Sequence, residues 1–493
     1  MMRRREASPG LIAVVVALLL PAPALAQQTL SATVSSTPTG APSMASGFVG
    51  VSLEYRALHV YTGRNPLAVN PVLIHLLQHL APGQAPIVRI GGESADASWW
   101  PIKGVIPPGG IDYTLTEGWL RLARAFAADL GGSLIMGVNL AAGRPSFAVA
   151  EARAFLKGIG RPFIDALEIG NEPDIYNVFP WYRDRNGHTY YARGRNYDFH
   201  LFAEEFSRWR AALPSLPIAG PAFAELSWLV HLGRFLANEP GLHTVTLHRY
   251  PLRAGVQDPS APNYASIPNL LADQASRGLA QSIAPYVAVA HAHGDYFRLD
   301  EINSASHRGQ PGVSDAFASA LWALDTLFNL ASVGVQGVNF HSLPGAAYEL
   351  FTFHQQGSTW HAFVHPEYYG MMMFAQAFPP GSQLLQVSAP NTPLKVWADQ
   401  DPSGTLHVEL INKDPSNAYT VTLHLPGAST DAQEEQLLAP SVSSKQGVTL
   451  GGQTFGTDTT TGDLPPPVTS SVAGVGGTYV VPVPAGSAAL LTK

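Results

Sequence analysis

The sequence predicts an α/β protein: a closed (β/α)8 TIM-type barrel followed by a smaller all-β sandwich. Short apolar runs open near Phe48, Ile87, Leu134, Ala166, Ile218, Thr244, Tyr296 and Val338, roughly 41 residues apart on average, which is the length of one strand with its loops and one helix. Eight such units close a barrel. Beyond about Gly381 the pattern changes to period two, in Leu394, Val396 and Ala398, then Val408, Leu410 and Asn412, then Val421, Leu423 and Leu425, with Gly, Pro, Ser and Thr turns between. The expected layout is a barrel over residues 47–380 and a sandwich over 381–493, with 27–46 adding an edge strand to the sandwich. Residues 441–477, rich in Gly, Thr, Ser and Pro, read as long surface loops.

Helices between the strands are visible where apolar residues fall three and four apart. Phe199, Phe202, Phe206, Trp209 and Leu213 make one apolar stripe. A second helix after Ser314 runs through Phe317, Leu321, Leu324 and Phe328 to a stop at Gly334.

At 493 residues, with 46% hydrophobic and 13% charged residues, the chain has a large interior and more than one ordinary core, which excludes disorder. A net charge of −7 with no basic block beyond the amino terminus argues against nucleic acid and highly sulfated polyanions as partners. Residues 1–26 pass from Met1-Met2-Arg3-Arg4-Arg5 through an apolar run to Ala24-Leu25-Ala26, the order of a secretory signal peptide, so export to the periplasm or medium is expected. That run is shorter than the roughly 20 residues of a bilayer span, and no later segment qualifies, so no membrane attachment is expected after cleavage. The absence of cysteine excludes disulfides and thiolate metal sites. Nothing in the chain specifies an oligomeric state.

Two carboxylates carry the chemistry. Glu172 closes the fourth apolar run in Gly170-Asn171-Glu172-Pro173-Asp174, and Glu301 closes the seventh in Tyr296-Phe297-Arg298-Leu299-Asp300-Glu301. Both fall at the carboxyl-terminal face of the expected barrel, on opposite sides of its mouth. Two carboxyls roughly 5 to 5.5 Å apart can break a glycosidic bond with neither metal nor cofactor, one as nucleophile and one as acid and then base. The acid must stay protonated, and Glu172, after an apolar strand and an uncharged Asn, suits that task. Each also reads as an ordinary carboxylate: Glu172 on a surface loop, Glu301 paired with Arg298 or Arg308. Asp174 and Asp300 compete, although Asp300, one step from Glu301, should point to the other side of its strand.

These residues resemble the retaining (β/α)8 glycoside hydrolases of clan A, and within it glycoside hydrolase family 79, the β-glucuronidases and heparanases, over roughly residues 29–493. The resemblance implies Glu172 as acid/base, Glu301 as nucleophile and Asn171 at the sugar 2-hydroxyl. His248-Arg249-Tyr250 matches a His-x-Tyr pattern whose Tyr bonds the nucleophile at the substrate site; a strand-end aromatic filling the rim is the alternative. Arg89-Ile90-Gly91-Gly92-Glu93 looks like the family's Arg-Ile-Gly-Gly segment, with glycines packing beneath the sugar and Arg89, like His248, supporting the pair. Glu54 resembles a Glu that binds sugar hydroxyls, a rim salt bridge being the other reading. Family glucuronidases grip the substrate carboxylate with a Tyr five residues after the nucleophile and a Gly and Tyr after strand eight. Here Ser306 stands at the first position, Gly345 and Tyr348 keep the others, and Arg308 can compensate as a guanidinium.

The expected activity is that of an exported retaining exo-β-glycosidase, a β-glucuronidase, acting on a carbohydrate. Alternatives are a β-glucosidase or β-galactosidase, endo-cleavage as in the heparanase branch, and an inactive carbohydrate-binding barrel. His291 and His293 have metal-ligand spacing but no third ligand and read as a solvated helix end. His341 reads as a pocket or core histidine, and Trp99, Trp100 and Trp181 as sugar-stacking or packing aromatics.

Overall fold

A computed structural model describes residues 27–427 and 429–493. The expected signal peptide lies outside the described residues. Eight parallel strands close a barrel: β1 (Val49–Glu54), β2 (Ile87–Gly91), β3 (Ser133–Val138), β4 (Ile164–Ile169), β5 (Ile218–Phe223), β6 (Thr244–Arg249), β7 (Tyr296–Ile302) and β8 (Gly337–Ser342). Each starts within two residues of the apolar run that predicts it. β8 pairs with β1, and β4 with β5 through Ile218↔Leu167 and Ala219↔Glu168, which completes the ring.

The helices bury the faces that their periodicity marks. Phe199–Ala212 sinks Phe202, Phe206 and Trp209 against the barrel, and the Asp198 side chain accepts from the Leu201 amide at its start. Ala318–Ser332 is buried almost all round, because the helix Pro366–Ala377 and the carboxyl-terminal domain cover the face turned away from the barrel. Its first amides, Phe317 and Ala318, donate to the carbonyls of Ser444 and Val442. The 441–477 stretch is thus not merely surface loop: it caps this helix, and Val448, Leu450 and Phe455 within it are buried.

The carboxyl-terminal strands form a curled ten-stranded sheet whose two halves pack face to face around Leu30, Val34, Leu410, Val421, Val481 and Leu491. The amino-terminal strand Gln27–Pro38 is an interior strand, not an edge one. It runs parallel to Ala418–His424 over residues 27–33 and antiparallel to Gln383–Ser388 from Thr33 to Pro38, so it joins those two strands within the sheet. The strand Leu406–Asn412 is buried on both faces, since Leu410 faces the sandwich core and Ile411 the barrel's cluster. At this junction Lys413 Nζ lies 2.6 Å from Asp325 Oδ2, and Trp397 Nε1 donates to Asp325 Oδ1. No helix among the described residues is long and apolar enough to cross a membrane.

Candidate active site

β4 ends in a turn that is held from both sides. The Asn171 amide donates to Asp96 Oδ2 (3.1 Å), and the Glu172 amide donates to the Ala222 carbonyl (2.9 Å) after β5. Asp174 is a tether here: its carboxylate takes the amides of Ala224 and Glu225. Glu172 itself sits at φ 53, a left-handed conformation uncommon for a residue with a Cβ, and these bonds over-determine it. The carboxyl stays about 20% exposed, at the floor of the cavity.

Across the mouth, Glu301 and Asp300 both face inward, which corrects the expectation that Asp300 points away. The β6–β7 register runs from Thr246↔Arg298 to His248↔Glu301, so β7 carries one extra residue there. That bulge cancels the alternation of side chains. Asp300 is fully buried, 3.3 Å from Arg89 Nε and 3.7 Å from His248 Nε2. Glu301 pairs with neither Arg298, which bonds Asn339 and the Gly47 carbonyl, nor Arg308.

Its partner is Arg89. From β2 the guanidinium donates to Glu168 Oε2 (2.7 Å), Glu301 Oε2 (2.6 Å), Asn171 Oδ1 (2.9 Å) and Ser52 Oγ (3.2 Å). The glycines of the Arg-Ile-Gly-Gly segment make room for acid-base partners more than for a sugar. A Cβ on Gly91 would stand 2.7 Å from Arg89 Nε, and one on Gly92 would stand 2.2 Å from Glu54 Oε1. Tyr250 Oη donates to Glu301 Oε1 (2.8 Å), so its hydroxyl serves that carboxylate. His248 Nδ1 lies 2.9 Å from Glu172 Oε1 and 3.9 Å from Glu301 Oε2. One oxygen of each glutamate and a ring nitrogen of His248 all fall within 4.8 Å of one another.

Burial alone would raise the Glu301 carboxyl, but the charges of His341, His248 and Arg89 and the Tyr250 bond outweigh it and hold it well below the usual range. Burial likewise opposes a charged His248, yet Glu301, the Glu172 bond and Asp300 raise it to about 9. At that value the imidazole is largely protonated at neutral pH. Beneath them Asp300 is pushed well up, by burial first and then by Glu168, while Glu168, beside Arg89, is held down despite burial. The shared surroundings thus favour the protonated form of Asp300 and the ionised form of Glu168.

The raised His248 has a consequence for stability. A histidine whose folded value exceeds its ordinary 6.5 stabilises fully below pH 6.5, and the contribution is lost as pH rises through about 9. Denaturation midpoints are expected to fall across pH 6.5 to 9, and less steeply in His248→Gln; equal slopes would contradict the assignment.

The remaining predicted residues fall on the rim. Glu54 accepts from the amides of Glu93 (3.1 Å) and Ser94 (2.8 Å) and from the Ser94 hydroxyl, and His341 lies 3.8 Å from it. It is an anchor for the loop after β2 that also lines the cavity, and it makes no salt bridge to an Arg or Lys among the described residues. His341 is a buried histidine 3.2 Å from Ser52 Oγ, set between Glu54 and Glu301 (3.7 Å). Tyr348 is buried with its ring 6.2 Å from that of Tyr250. The Gly345 amide is committed to Glu349 Oε2 (2.9 Å), so it is not free for a substrate. Arg308 lines the cavity and donates to the Pro344 carbonyl. His291 bonds Gln336 at its helix end, Trp99 packs on Phe147, and Trp181 lines the cavity. Residues that the sequence reading did not single out are Glu168, Ser52 and Asp96. An acid within an apolar strand, as in Leu167-Glu168-Ile169, is the one signal that could have found the first.

The structure is a closed barrel of this order with facing carboxyls at the ends of β4 and β7. Residues 397–490 match the glycosyl hydrolase family 79 C-terminal beta domain, which bears out the resemblance to that family. A Neurospora crassa β-glucuronidase is 24% identical over 60% of this chain, which spans only 56% of that protein's length. Among solved structures, a 4-O-α-L-rhamnosyl-β-D-glucuronidase from Fusarium oxysporum superposes with a TM-score of 0.75 at 21% identity, covering 94% of this chain and 100% of that one. An α-L-arabinofuranosidase from Thermotoga maritima gives 0.65 at 15% identity, over 94% and 100%. At these identities the structural likenesses establish the fold.

Proposed function

We propose that the protein is an exported retaining exo-β-glycosidase that hydrolyses terminal β-D-glucuronides by double displacement. The observation that carries this reading is the approach of the Glu172 and Glu301 oxygens within 4.8 Å across the barrel mouth. That spacing suits a nucleophile with an acid, whereas an inverting pair needs roughly 6.5 to 9.5 Å for a water between.

Glu301, kept ionised by Arg89, His248, His341 and Tyr250, attacks the anomeric carbon as Glu172 gives its proton to the leaving oxygen. The covalent bond removes the charge of Glu301, after which Glu172 takes a proton from water and the water releases the sugar. Asn171, fixed by Arg89, meets the 2-hydroxyl, where bonds strengthen in the oxocarbenium-like transition state. The glucuronide assignment is supported by the two relatives named as glucuronidases and by Arg308 and Tyr348 on the rim. The charge-neutral alternative, a β-glucosidase or β-galactosidase, is favoured by Ser306 and by the committed Gly345 amide.

Turnover of 4-nitrophenyl β-D-glucuronide is expected to exceed that of the β-glucoside and β-galactoside by at least about a hundredfold in kcat/KM, the scale of a lost buried charge-assisted contact. The first sugar released should have the β configuration by NMR. Preference for a neutral glycoside would overturn the substrate, and an α product would overturn the retaining mechanism.

A further inference from the structure

After β8 the chain turns through a hairpin of two antiparallel strands, Phe351–Gln356 and Thr359–Val364, whose register sets His354 directly opposite His361. Opposite residues point to the same face, so the two imidazoles stack, with ring centroids 4.7 Å apart and planes within 16°. The other face carries Phe351, Phe353 and Ala362 onto the barrel's cluster, which leaves the histidines turned outward.

A third group comes from the carboxyl-terminal domain. Thr459 and Ala362 exchange both of their backbone hydrogen bonds (2.9 Å each), and this bridge holds Asp458 beside the hairpin, its Oδ2 2.6 Å from His361 Nδ1. One ring nitrogen of each histidine and one oxygen of Asp458 all fall within 4.8 Å of one another. A surface contact between a histidine and an aspartate is by itself worth little. Here, however, His354 makes no hydrogen bond to any described residue, so a ring lone pair is free for an ion. Asp458 has no Lys or Arg partner among the described residues, so its charge is left to a cation. The three groups also stand on paired backbone, which fixes their approach.

The donor set selects the ion. Two imidazoles and one carboxylate suit zinc, whereas calcium and magnesium call for more oxygens. Ligand atoms around tetrahedral zinc stand about 3.3 Å apart, which small side-chain rotations reach from this arrangement. We propose that His354, His361 and Asp458 bind one zinc ion, with water as fourth ligand, and that the ion fastens the hairpin to the carboxyl-terminal domain. Asp463, further along the same segment, is already held by His75 Nδ1 and His79 Nε2 (3.1 Å each), so the ion pins that segment a second time. None of the three ligands lines the cavity beside Glu172, so the ion acts on stability and stands apart from the glycosidase reading.

The test uses the whole, untagged protein, stripped with a chelator and titrated with zinc sulfate alone by calorimetry. Wild type is expected to bind one zinc ion at micromolar concentration that His354→Gln and Asp458→Asn bind at least about tenfold more weakly. His354→Gln removes a ligand without breaking a hydrogen bond, so its loss of zinc is separable from misfolding. His75→Gln and His248→Gln should keep the ion, which separates this site from the other histidine clusters. Zinc at a hundredfold excess over its dissociation constant should raise the thermal midpoint by about 2 °C or more, and calcium and magnesium should leave it unmoved. Equal zinc uptake by wild type, His354→Gln and Asp458→Asn, or a gain in midpoint that those two variants share, overturns the proposal.

Discussion

Replacing Glu301 with Ala is expected to lower kcat by roughly 10⁵-fold or more, the scale on which loss of a nucleophile acts. Added azide should then restore part of the turnover of an aryl glycoside with a good leaving group. The methyl side chain leaves space on the face where the carboxylate stood, and a small anion there meets the same Arg89, His248 and His341 charges. The product should be the glycosyl azide of α configuration, inverted once. Glu172→Ala should behave differently: glycosides with good leaving groups still form the covalent intermediate, and azide then intercepts it to give the β-azide. The two product configurations, read by NMR, assign the roles separately. Wild-type protein that binds sugars and hydrolyses none would instead mark an inactive binding barrel.

Much of this arrangement is legible in the chain because a barrel strand is short, apolar and evenly spaced. The eight apolar runs set the strand order, and strand order places Glu172 and Glu301 at one face whatever the loops do. What escapes is whatever depends on a single residue of register. The bulge in β7 that turns Asp300 inward changes neither composition nor hydropathy, so alternation gives the wrong side for it. Glu168 escapes because a buried acid is tolerable only if a cation meets it, and Arg89 comes from a strand two places away in the barrel. The interior position of Gln27–Pro38 depends on pairing with Gln383–Ser388 and Ala418–His424, at the far end of the chain, which no local pattern encodes.

Arg89 is the residue whose loss should damage fold and chemistry together. One guanidinium, fully buried, neutralises Glu168 and Glu301, lies beside Asp300, and fixes Asn171. Arg89→Met leaves those acids buried without their cation, and removing one partner from such a network costs about 3 to 5 kcal/mol. The chemical denaturation midpoint should fall accordingly, and most where the carboxylates are ionised. Protonation relieves the uncompensated charge, so the deficit relative to wild type should shrink as pH falls. Arg89→Lys keeps the charge but places it at one point, and an ammonium cannot reproduce a planar fork reaching Glu168, Glu301 and Asn171 at once. That variant is expected to recover part of the stability while kcat/KM stays about a hundredfold or more down, since misplacement by about 1 Å costs on this order. Moreover the acidic limb of the Arg89→Met pH profile should move upward, because Arg89 is one of the charges holding Glu301 ionised. A lysine variant with wild-type activity and profile would mean that the guanidinium contributes only charge to the interior, and that its fork geometry plays no part in orienting the catalytic pair.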